Sequence, residues 1–257
     1  MSVTLIGLAA YFVLDFPAEA TSFSLLGSPL TLAAPQRWLM VLLLGGMAMA
    51  GADSIVRAHP ALPSHRPGYV ALFWMLPGLV VLLATQTLGY LTSAVAWGGS
   101  LVLVGMVLWL TLAAEVASLE RDGAERLGPR LWRQFVGYTV VLLFIIVIYN
   151  TRSRSAVSAT AVMLVAGMAA LPLLRRGPEQ LLNTWLLAGV IGLSLGQVMW
   201  ALNYWRTGAL NAGLLLLLIF YVLIGLSQQY LSGTLSRRTV WEFGTISLVA
   251  LLVIFYL

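Results

Sequence analysis

Hydrophobic side chains dominate nine segments of the chain, and polar and charged residues collect in the short loops between them. The segments are 3–16, 36–56, 68–90, 92–116, 131–149, 156–174, 179–206, 209–230 and 239–257. A helix of about 20 apolar residues is long enough to cross the hydrocarbon core of a bilayer. The pattern predicts an all-α, polytopic transmembrane helical bundle of about nine spans, forming a single domain over residues 1–257. The first segment is short, and the count falls to eight if it lies in the membrane interface.

Residues 17–35 depart from this pattern. In SFSLLGSPLTLAA, two short β-prone runs flank Gly27, Ser28 and Pro29, which together form a turn signal. This predicts a short hairpin or a re-entrant loop at the membrane interface, and an irregular capping loop is the alternative.

The composition agrees with a chain whose solvent is lipid. Hydrophobic residues make up 60% of it and charged residues 9%, whereas a soluble domain carries about a quarter charged residues. Cysteine is absent, which excludes disulfides and thiolate metal sites. Lysine is absent as well, which excludes a retinal or pyridoxal Schiff base. The basic residues form no tract interleaved with aromatic side chains, so the expected partner is the lipid bilayer and not a nucleic acid.

The arginines predict the orientation of the chain. With nine spans, ten of the 14 fall on one side of the membrane: Arg57, Arg66, Arg121, Arg126, Arg130, Arg133, Arg175, Arg176, Arg237 and Arg238. The other side holds Arg37, Arg152, Arg154 and Arg206. Positively charged loops stay in the cytoplasm, so we expect a cytoplasmic N-terminus and an external C-terminus.

Two segments carry small residues that favour close helix packing. The second contains Gly45 and Gly46, and the seventh contains Gly189, Gly192 and Gly196. The seventh segment also holds many polar and aromatic groups, so we expect the rest of the bundle to be organised around it.

Six polar and aromatic residues form a candidate binding site. Gln197, Trp200, Asn203 and Tyr204 share a face near the end of the seventh segment, and Gln228 and Gln229 close the eighth. Together they could line a polar pocket. The alternative is interhelical hydrogen bonding combined with an aromatic belt at the membrane interface.

Ionisable side chains inside a membrane are costly, which makes each one a candidate for function. Two pairs have the i,i+4 spacing of helical ion pairs: Asp53 with Arg57, and Arg238 with Glu242. We expect these acids, together with Asp15 and Glu115, to anchor helix ends and neutralise nearby arginines.

The motifs of known catalytic and metal sites are missing from the sequence. His59 and His65 share one loop at a spacing that matches no standard metal site. The chain has no HExxH, GxSxG or phosphate-binding glycine motif. We therefore predict no catalytic residue, metal or cofactor, and leave a quinone, pigment or lipid site open.

Three stretches resemble a known protein family. They are LDFPAEATSFSLLGSPLTLAAPQRWL, GADSIVRAHP and ALNYWRTGALNAGLLLLLIFYVLIGL. They are similar to an uncharacterised family of bacterial polytopic membrane proteins that is described as a domain of unknown function. The resemblance implies a multi-span protein of the bacterial inner membrane, and it implies no activity and no site residues.

Three functions fit these observations. The first is a non-catalytic accessory subunit that packs against other membrane proteins, or against itself, in a larger assembly such as an energy-transducing complex. The second is a transporter of small solutes or lipids, suggested by Pro77 within the third segment and by the polar seventh segment. The third is an intramembrane enzyme acting on lipids, for which Asp53, Glu115 and the arginine-rich loops are the support.

Overall fold

The computed structural model describes residues 2–13, 20–25, 28–33, 35–62, 64, 66–88, 93–119, 127–151, 155–205 and 207–256. Within these ranges it contains nine α-helices and one two-stranded sheet. The helices are α1 (Ser2–Val13), α2 (Pro35–Arg57), α3 (Pro67–Thr87), α4 (Ala94–Ala117), α5 (Leu127–Asn150), α6 (Ser155–Leu174), α7 (Leu181–Leu202), α8 (Ala209–Leu231) and α9 (Arg237–Tyr256).

Among the described residues, seven helices, α2 to α8, are long and apolar enough to cross a membrane. The predicted helical bundle is therefore confirmed, and the chain is a membrane protein. The 12 residues of α1 extend about 18 Å, which is shorter than the roughly 30 Å of a hydrocarbon core. The apolar stretch of α9, Val240–Ile254, is also shorter than the other spans. The end of the predicted first segment, residues 14–16, lies outside the described residues.

The hairpin is formed by β1 (Ala20–Leu25) and β2 (Ser28–Ala33), which pair in antiparallel register from Ala20 with Ala33 to Leu25 with Ser28. Of the conformations considered from the sequence, the structure has the hairpin. Gly27 of the expected turn lies outside the described residues.

The centre of the bundle is α3 and not α7, which differs from the expectation drawn from the sequence. In its apolar stretch 83% of the residues are buried. Helices α2, α4, α5 and α6 all pack against it. The helix runs without interruption through Pro77, and the next residue, Gly78, leaves room for the side chain of Met49 from α2.

Helices α6 and α7 form the most extensive helix pair, and two of the predicted glycines lie at their contact. A Cβ atom on Gly192 would lie 2.6 Å from the carbonyl oxygen of Met163 and 3.3 Å from Cα of Gly167. A Cβ atom on Gly196 would lie 3.0 Å from the carbonyl oxygen of Ala159. Both positions therefore bring the two backbones into direct contact.

The other predicted packing glycines divide into one that packs and two that do not. The position of a Cβ on Gly45 is 2.8 Å from Cδ2 of Leu82 on α3. Gly46 and Gly189 are exposed, and among the described residues no atom lies within 4 Å of where their Cβ would be. Gly46 is turned about 100° from Gly45 by the helical rotation, and Gly189 lies on the outer side of α7. The prediction that these two glycines pack is wrong.

Most of the described arginines lie at one end of the bundle. At one end, where α2, α4, α6 and α8 finish, Trp185 Nε1 of α7 donates to the carbonyl oxygen of Gly68 of α3 (3.2 Å). We call this the arginine-rich end because eight described arginines lie there: Arg57, Arg66, Arg130, Arg133, Arg175, Arg176, Arg237 and Arg238. The placement of these eight arginines agrees with the predicted grouping. Five other arginines lie outside the described residues: Arg121, Arg126, Arg152, Arg154 and Arg206.

Candidate functional site

A buried ion pair joins α4 to the end of α6 at the arginine-rich end. Arg175 Nη1 donates to Glu115 Oε2 at 2.6 Å. The two side chains are 5% and 1% exposed, respectively. The partners are 60 residues apart in sequence, so this contact depends on the tertiary fold.

The sequence places both groups at the same depth. Glu115 lies in the last turn of α4, which ends at Ala117, and Arg175 directly follows α6, which ends at Leu174. A short loop and a one-turn 3-10 helix, Pro178–Gln180, then lead into α7. Because α4 and α6 finish at the same end of the bundle, their terminal charges can meet.

Two further side chains hold the guanidinium of Arg175. Nη2 donates to Ser118 Oγ at 2.7 Å, and this hydroxyl in turn donates to the carbonyl oxygen of Glu115 at 2.6 Å. The Cζ atom lies 3.7 Å from the centroid of the Phe73 ring, which is cation–π geometry. Tyr69 packs edge-on against Phe73, with the ring centroids 5.6 Å apart. The N-terminal part of α3 thus covers the ion pair.

The charges in the cluster act on each other strongly because the site is shielded from water. Burial lowers the pKa of the Arg175 guanidinium, the Glu115 carboxylate opposes this change, and the positive charge of Arg133 adds to it. Arg133, on α5, is itself buried. The second carboxylate oxygen, Glu115 Oε1, is buried and has no hydrogen-bond partner among the described residues.

The arrangement can do two things chemically. It connects the ends of α3, α4 and α6 through groups that are costly to separate once they are buried. Glu115 Oε1 can also accept a hydrogen bond or a proton, since it is a carboxylate oxygen to which no described residue donates.

The six residues of the predicted polar pocket do not come together. Asn203 Nδ2 donates to Ser158 Oγ at 2.6 Å, near the start of α6. Gln228 Nε2 donates to the carbonyl oxygen of Leu173 at 2.9 Å, near the end of α6. Fifteen residues of α6 separate these contacts, which is about 22 Å. The pocket prediction is wrong because α7 and α8 are antiparallel, so their C-terminal ends lie at opposite ends of the bundle.

The remaining members of that set are at the surface or in local contacts. Gln197 and Trp200 are exposed on α7, and Tyr204 is exposed in the turn that follows it. Gln229 Oε1 accepts a hydrogen bond from Thr234 Oγ1. A groove of about 380 Å³ between α6 and α7 contains Gln197 and Trp200 in its lining. The groove is open to the membrane side of the protein and does not reach Gln228 or Gln229.

Both i,i+4 ion pairs expected from the sequence are formed at the surface. Arg57 Nε lies 2.8 Å from Asp53 Oδ2, with the side chains 39% and 30% exposed. Arg238 Nε lies 3.0 Å from Glu242 Oε1, with 89% and 58% exposed.

The loop with the two histidines was expected to bind no metal. His59 Nδ1 accepts a hydrogen bond from the amide of Ala61 at 3.3 Å. His65 and Asp15 lie outside the described residues. The described part of the chain holds no group of three His, Asp or Glu side chains that could bind a metal ion.

Sequence reasoning singled out Glu115 as an acid near a helix end, but it missed the partners. The positions of Arg175 and Arg133 in the sequence indicate topology only, and no pattern in the sequence relates Ser118 or Phe73 to Glu115. One signal was available, because PLLRRG places Arg175 immediately after an apolar helix, at a depth that matches Glu115. Nothing in the sequence indicates that these two helix ends are neighbours.

A comparison with protein families gives one match. The family described as "Protein of unknown function (DUF5656)" matches residues 16–257. The chain belongs to this family. The expected membership of an uncharacterised family is therefore confirmed, and the DUF5656 match includes Glu115 and Arg175. No curated protein and no solved structure matches the chain.

Proposed function

We propose that this protein is a non-catalytic, multi-pass protein of the bacterial inner membrane that serves as a structural or accessory subunit of a larger membrane assembly. The observation that carries this proposal is the enclosure of the Glu115–Arg175 pair. Its charged groups are buried, contact each other and lie beneath Phe73, which supports a role in stabilising helix ends.

The outer surface supports the same role. None of the described side chains of α9 is buried. This helix packs mainly on α8, where its Phe243 fills the space beside Gly225. Leu248 and Leu252, on α9, are 63% and 57% exposed. Such a peripheral helix offers a large apolar surface to the membrane and to neighbouring proteins.

The test is purification in a mild detergent, followed by mass spectrometry of the chains that co-purify. We expect a defined set of membrane proteins at a fixed ratio to this chain. The variant Leu248→Ala/Leu252→Ala should lower that ratio, whereas Val102→Ala/Leu103→Ala on the exposed face of α4 is the matched control. A chain that is always recovered without other proteins would contradict the proposal.

One observation favours transport as a second candidate. Among the described residues, Glu115 Oε1 is a buried carboxylate oxygen without a hydrogen-bond donor, and such a group can bind a proton during transport. Reconstituted vesicles should show no flux of protons or cations if the first proposal is right. Flux that is present in the wild-type protein and lost in Glu115→Gln would favour the transporter.

We further propose that the arginine-rich end faces the cytoplasm, following the positive-inside rule. With nine spans this places the N-terminus inside and the C-terminus outside. The cysteine-free chain permits a direct test with a membrane-impermeant maleimide. A cysteine at Gly208 should react in intact cells, and a cysteine at Thr234 should react only after permeabilisation. The reverse labelling would contradict this orientation.

A further inference from the structure

Helices α3, α4 and α5 enclose a groove of about 200 Å³, which we call the α3–α4–α5 groove. Its floor is buried and reaches the central helix of the bundle. The floor consists of Val80, Leu83 and Ala84 of α3 and of Val136 and Val140 of α5. A ligand in the groove would therefore have protein on three sides.

The rim of the groove opens at the depth of the hydrocarbon core. Leu103 of α4 and Phe135 of α5 belong to the lining and are 62% and 63% exposed. They lie nine and eight residues from the start of their helices, so each is at least about 12 Å from either helix end. In a hydrocarbon core that is roughly 30 Å thick, this depth separates the rim from headgroups and water. The molecules that reach the rim are acyl chains.

The lining provides few polar groups for water. Thr87 Oγ1 donates to the carbonyl oxygen of Leu83 at 3.0 Å. Trp132 Nε1 donates to Thr111 Oγ1 at 3.4 Å. The Thr139 hydroxyl is the one lining side-chain donor for which the described residues provide no acceptor. A buried water needs two to four polar partners, and an apolar cavity of about 150 Å³ stays dry but takes up hydrocarbons such as benzene. Hydrocarbon is therefore the ligand chemistry that suits this groove.

The length of the groove suits a single acyl chain. Along α5 the lining extends from Trp132 to Leu143, eleven residues apart, which is about 16 Å. Each leaflet contributes about half of a hydrocarbon core that is roughly 30 Å thick, so one extended acyl chain spans about 15 Å. A neighbouring helix would insert separate side chains about one turn apart, whereas a linear chain fills the groove along its whole length.

We propose that a membrane phospholipid binds this protein by inserting one acyl chain into the α3–α4–α5 groove. The chain contacts protein on three sides, so it loses more dispersion contacts on leaving than a chain on a flat helix surface does. It also fills a void beside the central helix that close packing would otherwise leave open. The site does not depend on the accessory role proposed above.

The first measurement determines whether an acyl chain reaches the groove. The full-length protein is reconstituted in vesicles of phosphatidylcholine with brominated acyl chains, because bromine quenches tryptophan fluorescence on contact. The contribution of Trp132 is the difference between the wild type and Trp132→Phe. Trp109, 60% exposed on the outer face of α4, is the reference for contact with the surrounding lipid and is measured in the same way with Trp109→Phe. We expect Trp132 to be quenched to a similar extent, although it is less exposed.

The second measurement determines whether the lipid is retained. Val107→Phe and Thr139→Leu place larger side chains in the groove from α4 and α5, respectively. After purification in a mild detergent and washing, each filled variant should carry one phospholipid fewer per chain than the wild type. Val102→Phe, on the outer face of α4, is the matched control and should retain as much phospholipid as the wild type.

Thermal midpoints distinguish loss of the lipid from loss of the fold. Complete removal of phospholipid should lower the midpoint of the wild type and of Val102→Phe. It should change the midpoint of the filled variants little, because their added side chains replace the acyl chain. If a filled variant has a low midpoint before lipid is removed, it is misfolded, and the quenching of Trp132 in the wild-type protein decides the question.

Three results would overturn the proposal. The first is a Trp132 that brominated chains leave unquenched while Trp109 is quenched, since water or a helix of another protein then fills the groove. The second is equal phospholipid retention in the wild type and in both filled variants. The third is retention of an isoprenoid lipid in place of a phospholipid, because the occupant would then be a different hydrocarbon.

Discussion

Two kinds of ion pair lie at the arginine-rich end of the bundle, and they differ in what they join. Asp53–Arg57 and Arg238–Glu242 connect residues one helical turn apart, and at least 30% of each side chain is exposed. Glu115–Arg175 connects two different helices, and at most 5% of each side chain is exposed. Exposed pairs are screened and contribute little, whereas breaking a buried pair leaves a charge without compensation. The effect of an ion pair on stability therefore depends less on the distance between its charged groups than on whether the pair is buried.

The largest effect is expected from breaking the buried pair. Glu115→Leu removes the carboxylate that pairs with the buried Arg175 guanidinium near Arg133, and Arg175→Met removes the guanidinium that pairs with the Glu115 carboxylate. Each single substitution should lower the free energy of unfolding by about 3–5 kcal/mol, as for other buried pairs. Denaturant titration in detergent, monitored by circular dichroism, measures this loss.

The double variant Glu115→Leu/Arg175→Met is the control for that prediction. It removes both charges together, so its stability should be closer to that of the wild type than either single variant. A double variant that is less stable than both single variants would show that the pair is not a coupled unit.

The contrast between the pairs also explains what the sequence could predict. The i,i+4 pairs follow from helical geometry alone, and both form. The pair Glu115–Arg175 requires knowledge of which helix ends are neighbours, and local sequence does not contain it. The number of helices was predictable for a similar reason, because each apolar segment is a local signal.

The central position of α3 was not predictable, and the reason is the solvent. In water, a helix that is apolar on all sides is recognised as buried. In a bilayer the lipid is as apolar as the protein interior, so α3, with 83% of its apolar stretch buried, and α8, with 28% buried, are both apolar throughout. The polar and aromatic residues of α7 led to the prediction that this helix is central, but their side chains mostly occupy its outer face.

The hairpin illustrates the opposite case. The β-prone runs and the turn signal between them are local, and β1 and β2 pair as a hairpin. Ser28 and Pro29 of the expected turn lie in β2, where they pair with Leu25 and Ser24. The predicted polar pocket failed because it combined residues from the C-terminal ends of two consecutive helices. Consecutive spans are antiparallel, so those ends face opposite sides of the membrane.

An intermediate effect is expected where the same contrast between buried and exposed positions occurs on one helix. Gly192→Leu places a side chain against the carbonyl oxygen of Met163, and overpacking typically costs about 1–3 kcal/mol. Gly189→Leu is the matched control, because it lies on α7 in open space. We expect a clearly lower thermal midpoint in detergent for Gly192→Leu and little change for Gly189→Leu. Equal midpoints would mean that α6 and α7 separate easily.

The smallest effect is expected at the exposed pairs. Asp53→Asn keeps the size of the side chain and removes one charge of a pair that is worth about 0–1 kcal/mol. Arg238→Gln likewise removes one charge of the more exposed pair, with a shorter side chain. Both variants should match the wild type in thermal midpoint, in assembly with co-purifying proteins and in the absence of ion flux. If Asp53→Asn left the stability unchanged but abolished a flux measured in the wild-type protein, Asp53 would belong to a transport pathway. The distinction between structural buried charges and inert exposed charges would then fail, because an exposed carboxylate would carry the function.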